Sequence, residues 1–155
     1  MRFLFVWLAA AMFLRAESEL ARAIAASNAE HAAQNEKCEK SADKIKCLNS
    51  ESFSAAREKI YDRLDELLES GYQNAAESSE ADAAAAYFAD LTGFEYLGTR
   101  TSEEISENVA AICESSPQLF DRALKKLTPK ERAKFKEWFM GNIKSRSEKF
   151  CKIYE

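Results

Sequence analysis

Residues 101–135, TSEEISENVAAICESSPQLFDRALKKLTPKERAKF, hold three helix starts in close succession. Thr101-Ser102-Glu103-Glu104 reads as a capping box, in which a hydroxyl takes an orphan N–H and a glutamate reaches back. It opens a helix with Ile105, Val109, Ile112 and Cys113 facing inward. Ser116-Pro117 sets a cap before proline at the first helical position, where the missing N–H does no harm, and leads into Leu119, Phe120, Ala123, Leu124 and Leu127. Thr128-Pro129-Lys130-Glu131 combines both devices and opens the last helix, which carries Phe135, Trp138, Phe139, Ile143, Phe150 and Tyr154, with Gly141-Asn142 marking a bend. Starts this close together dictate short helices that fold back on one another.

The preceding sequence has the same character. Asn49 or Ser50 caps a helix in which Phe53, Ala56, Ile60, Leu64, Leu67 and Leu68 recur at helical spacing, and Gly71 is expected to end it. Gln73–Ser79 is polar and reads as a loop. The run ADAAAAYFADL places a third helix from Glu80 to Leu91, closed by Gly93, with Phe94–Gly98 as a packed loop. A first helix is expected from Ser18 into Glu36–Lys40, with Leu20, Ile24, Ala25 and Ala32 on one side. Only four glycines and two prolines interrupt a chain rich in alanine, so the fold class is all-α: a compact bundle of five to six short helices. No internal repeat occurs, and no heptad register persists far enough for a long coiled coil.

The amino terminus reads as an export signal. Arg2 is followed by the apolar run Phe3–Leu14, and Ala21-Arg22-Ala23 fits the small-x-small cleavage pattern, so residues 1–23 are expected to leave a single domain at 24–155. Leu14-Arg15-Ala16 is a weaker match that places the cut after residue 16. As a helix the apolar run spans about 18 Å, short of a hydrocarbon core of about 30 Å. A transmembrane segment in the mature chain is therefore not expected. The predicted location is secreted or periplasmic.

Cys38, Cys47, Cys113 and Cys151 all follow the signal, and an even count in an oxidising compartment reads as two disulfides. Cys38 and Cys47 in one unbroken helix would lie about 13.5 Å apart along the axis and on opposite faces. Pairing them requires a turn, and Ser41 or Asp43 can cap a new helical turn there. Cys38–Cys47 with Cys113–Cys151 is the favoured connectivity, since the first loop is short and the later cysteines both end helices.

Charge is unevenly distributed. Residues 60–120 carry 13 acidic against 2 basic side chains, residues 121–155 carry 11 basic against 5 acidic, and the whole chain is at −4. Complementary packing or solvated faces account for most such runs. The functional reading is that the basic, aromatic-bearing last helix meets an anionic surface such as phospholipid, lipopolysaccharide or an acidic protein. Export and the negative net charge argue against nucleic acid.

No catalytic constellation is visible. His31 is the lone histidine, on a helix poor in apolar residues, and reads as an exposed polar side chain. Phosphate-binding loops, G-x-S-x-G and C-x-x-C are absent, and neither metal ligands nor a cofactor site is expected. Asp62, Asp65, Glu66 and Glu69 recur at helical spacing as a solvated stripe. The functional expectation is a non-catalytic protein binding a protein or surface partner outside the cytoplasm. The alternative is a carrier of a small apolar or lipid-like ligand. Its cavity wall would be Phe120, Phe135, Phe139 and Phe150, with Lys144, Arg146 or Lys149 meeting a carboxylate at the rim.

Two local resemblances accompany this reading. Ser116-Pro117-Gln118-Leu119-Phe120 followed by Leu127-Thr128-Pro129-Lys130-Glu131-Arg132 resembles helix junctions of the nematode secreted fatty-acid- and retinol-binding family. Cys38 and Cys47 followed by an amphipathic helix are similar to small bacterial periplasmic lysozyme-inhibitor-like domains. Each covers a short stretch, neither assigns the chain to a family, and no site residue carries over.

Overall fold

Ser18 starts the fold: its backbone is extended and its side-chain oxygen accepts the Ala21 N–H at 2.9 Å, satisfying one orphan donor of the helix that follows. The computed structural model describes residues 17–137, which form seven helices and no strand. They are α1 (Glu19–Cys38), α2 (Lys44–Leu48), α3 (Glu51–Glu77), α4 (Ala81–Leu91), α5 (Thr99–Ser115), α6 (Pro117–Lys126) and α7 (Pro129–Phe135). The additional helix relative to expectation is α2. None of the described helices is long and apolar enough to cross a membrane.

Helix α4 organises the rest. It packs against α1, α3, α6 and α7, and Ala81, Ala84, Ala85, Tyr87, Phe88 and Leu91 are all buried. Alanines on several sides let neighbouring backbones come close, and Phe88 fills the space between them. Its ring meets Phe120 of α6 at 5.3 Å and Phe135 of α7 at 4.8 Å, centroid to centroid. Leu20 and Ile24 from α1, Leu64 and Leu68 from α3, and Ile105 and Ile112 from α5 complete one continuous core. The junction after α6 is held by Arg132, whose guanidinium donates to the carbonyls of Leu124, Lys125 and Leu127 at 3.0, 2.9 and 3.1 Å. Those are the carbonyls that a helix end leaves unsatisfied. The Thr128–Glu131 capping box is present as read, and Phe94 is buried in its loop as expected.

Four expectations need correction. Gly71 does not end a helix: α3 continues to Glu77 and absorbs most of the expected 73–79 loop. The glycine is there because the buried Tyr87 ring lies only 2.8 Å from where a Cβ would stand. Helix α5 begins at Thr99 with Gly98 as cap, and Thr101 is buried inside its first turn. Ala25 and Ala32 are exposed; Ser27, Gln34 and Cys38 continue the buried stripe from Leu20 and Ile24. Finally, His31 is half-buried rather than exposed, because side chains from two other segments close over it.

Cys38 and Cys47 are joined, with Cα atoms 5.6 Å apart. The chain turns after Cys38, and Asp43 caps α2 by accepting the Lys46 N–H at 3.0 Å. Cys113 is fully buried in α5, and its expected partner Cys151 lies outside the described residues.

Gly71 provides a direct check on the packing. Alanine normally favours a helix interior over glycine by up to about 1 kcal/mol, whereas overpacking a core costs about 1–3 kcal/mol. With Tyr87 2% exposed and unable to swing away, overpacking wins. Gly71→Ala is expected to lower unfolding stability by about 1 kcal/mol in a urea titration; an unchanged or raised midpoint would contradict the close approach.

Candidate functional site

The α1–α2–α3 hairpin carries the features that its folding does not use up. Residues 39–46 are all exposed, α2 buries none of its side chains, and Ile45 stands 74% exposed at the apex. Lys44 and Lys46 flank it in sequence, and Glu39, Lys40 and Asp43 are exposed on the same loop. The backbone beneath is well fixed. The disulfide closes the loop, Asp43 caps α2, and the α2 C-terminal carbonyl of Leu48 accepts from Arg57 of α3 at 2.7 Å. Arg57 also donates to the Phe53 carbonyl at 3.3 Å, so one guanidinium ties the tip to the root of α3.

Below the tip, the seam between α1 and α3 is lined by a short polar and aromatic ladder. Lys37 Nζ lies 5.7 Å from the centre of the Phe53 ring. Gln34, buried, donates to Glu30 at 2.7 Å. His31 Nε2 and the Tyr61 hydroxyl share a hydrogen bond at 2.8 Å, and the imidazole stacks on Tyr96 with 5.7 Å between ring centroids. The histidine thus sits between two phenols, one from α3 and one from the 94–98 loop, which α1 sequence alone could not reveal. Burial holds the imidazole below its usual pKa, Arg57 adds to the effect, and Glu30 opposes both. Burial likewise pushes the Tyr61 phenol up, with Arg57 pulling the other way. A neutral imidazole and a protonated phenol are the matched pair, and their contacts order the seam.

An open groove of about 470 Å³ lies between the start of α1 and the end of α4. Its carboxylates are Glu17, Asp90, Glu95 and Glu131. Two of them have structural duties: Asp90 accepts the Ser18 hydroxyl at 2.7 Å, and Glu131 accepts the Thr128 N–H at 2.7 Å. Asn28 bridges the groove floor, donating to the Gly93 carbonyl and accepting the Glu95 N–H. Among the described residues no group of three or more His, Cys, Asp or Glu side chains is arranged to hold a metal ion.

Of the residues named as a cavity wall, Phe120 and Phe135 are wholly buried against each other and Phe88, with 6.4 Å between their centroids. Phe139, Phe150 and the basic residues Lys144, Arg146 and Lys149 lie outside the described residues. The charge runs meet in part: Lys126 of α6 pairs with Asp82 of α4 at 2.8 Å. Sequence reasoning singles out Cys38, Cys47 and Asp43 in the tip but not Ile45, Lys44 or Lys46, for which an isolated isoleucine between two lysines inside a short cystine loop is the available sign. Compared with known protein families, curated proteins and solved structures, the chain has no match.

The His31 environment sets a pH dependence. A folded-state pKa below the ordinary value of about 6.5 means the unfolded chain binds more protons in that range, so stability rises with pH there and is lost on acidification. Stability measured by urea unfolding is expected to fall from about pH 7 to about pH 5.5, and His31→Gln should flatten that slope. An equal slope in the variant would show that the imidazole is not the group responsible.

Proposed function

We propose that the chain is an exported, non-catalytic helical binding protein, acting in a secreted or periplasmic setting, and that its contact surface is the cystine-closed tip. The observation that carries this is Ile45, 74% exposed on a loop whose backbone is fixed by a disulfide, an aspartate cap and Arg57. A braced loop loses little conformational freedom on binding, so side chains displayed on it bind with a small ordering penalty. The disulfide itself supports an oxidising compartment.

The signal at the amino terminus belongs to the same reading, and the fold favours one of its two cleavage sites. Cutting after residue 23 would remove the Ser18 cap, the Glu19–Arg63 ion pair at 2.9 Å and the core side chain Leu20, 6% exposed. Loss of a buried leucine alone costs about 2–5 kcal/mol. Cleavage after Ala16 keeps all three, which supports a mature chain beginning at Glu17.

Intact-mass measurement and peptide mapping of protein recovered from its host are expected to show Glu17 at the amino terminus and a Cys38–Cys47 peptide under non-reducing conditions. Retention of Met1–Leu14 would contradict export. Affinity capture from the host envelope or medium, with wild type and Ile45→Asp compared as baits, tests the surface. Species captured by the first and lost with the second are the expected result; identical captures would mean that the tip is not the contact surface.

A further inference from the structure

Resting on the reading that the chain is cut after Ala16, we propose that the groove between α1 and α4 seats the chain's own mature amino terminus. The ammonium group created at Glu17 sits among Asp90, Glu95 and Glu131 and ties the start of α1 to α4 and α7.

The chemistry of the cut places the charge. Hydrolysis of the Ala16–Glu17 peptide bond by a host peptidase consumes one water. It leaves a carboxylate on the released segment and an ammonium on the Glu17 nitrogen. Before the cut that nitrogen is a neutral amide. Afterwards it is a cation at the amino end of α1, where the helix dipole is already positive. Without compensation, a charge there works against the first turn that Ser18 caps.

The groove supplies the compensation. Glu17 and Ser18 are part of its lining, so the new terminus forms at its edge. Its charged lining residues are Glu17, Asp90 of α4, Glu95 of the 94–98 loop and Glu131 of α7, with no lysine, arginine or histidine among them. Arg22 of α1 and Lys130 of α7 do not line it. Arg63, which reaches the start of α1, is held by Glu19 at 2.9 Å, and Arg132 is held by the carbonyls that end α6. The small residues Ala21, Ala25, Ala89 and Gly93 leave the space between the acids open.

Distance allows the contact. Asp90 Oδ2 accepts the Ser18 hydroxyl at 2.7 Å, and Glu17 is one residue earlier, about 3.8 Å of chain. Glu131 Oε2 accepts the Thr128 N–H at 2.7 Å. A carboxylate accepts up to about four hydrogen bonds, so neither duty excludes an ammonium. Only a cut after Ala16 delivers the cation here: the uncut chain has an amide at this position, and a cut after residue 23 removes Glu17 altogether. Processing thereby gives the mature chain a contact among three elements that its precursor lacks.

The sign of the pH dependence follows. Carboxylates favour the ammonium over the neutral amine, so the folded chain holds this proton more tightly than the unfolded chain. The stabilisation is complete below the ordinary α-amino value of about 7.7 and is lost as pH rises through the higher folded value.

The test is an NMR titration of the α-amino group, followed at the Glu17 α-proton, on protein recovered from its host after intact mass has identified the terminus. The folded protein is expected to titrate about one unit above the same chain in urea, an approximately tenfold tighter hold on the proton. Asp90→Asn combined with Glu95→Gln should remove most of that shift, and asparagine keeps an acceptor for the Ser18 hydroxyl. Restoring Ala16 as an extra first residue displaces the ammonium and should also reduce the shift. With Glu17 confirmed as the terminus, equal titration in the folded and unfolded chains, or a shift that the variants leave unchanged, would overturn the proposal alone. A different terminus in the mass spectrum would overturn the cleavage reading and the proposal together.

Discussion

The burial of α4 is the constraint on which the other elements depend. Eleven residues, most of them small, cannot form a stable helix in water by propensity alone, because helix nucleation is costly and short helices are marginal. Packing on several sides compensates. Alanines at 81, 84 and 85 admit close neighbours, and the two large side chains, Tyr87 and Phe88, then demand complementary surfaces. Tyr87 obtains one from Gly71, where the α3 backbone approaches without a side chain in the way. Phe88 obtains one from Phe120 and Phe135, so α6 and α7 are positioned by a single ring. The tight turns with proline at the first helical position bring those two rings round to it.

The cystine tip is outside this arrangement. Helix α2 buries nothing and touches α1, so its stability comes from covalent closure, one aspartate cap and Arg57 rather than from the core. That separation has a functional consequence. The exposed side chains of α2 can change without removing a core contact, which is what a contact surface of the proposed kind requires. The His31–Tyr61–Tyr96 ladder lies between the two regions and fixes the direction in which α1 and α3 carry the tip.

Much of the architecture is legible in the sequence because its signals are local. The helix start at Ser18, a cap at Ser41 or Asp43, the Thr128–Glu131 box and the ADAAAAYFADL helix are each decided by a few consecutive residues, and all can be read without knowledge of the fold; the structure selects Asp43. The Cys38–Cys47 pairing is readable for the same reason, as a short loop containing a cap. Gly71 misleads because its role depends on a ring 16 positions later on another helix; a glycine required for close approach and a glycine that ends a helix look alike in sequence. Thr101-Ser102-Glu103-Glu104 matches a capping box, yet Gly98 sits three residues earlier at the position that the turn of the chain makes the true start. His31 misleads because both its partners, Tyr61 and Tyr96, come from other segments. The site is the least legible part: Ile45 carries meaning only once the loop around it is known to be closed, exposed and braced.

Residue-resolved hydrogen exchange of the intact protein tests most directly whether α4 is the organising element. If it is, the amides of Tyr87, Phe88 and Leu91 exchange only through global unfolding and are the slowest in the chain, while those of α2 exchange by local opening at much lower free energy. Exchange of the α4 amides as fast as those of α2 would mean that the bundle does not depend on this helix, and would contradict its central role.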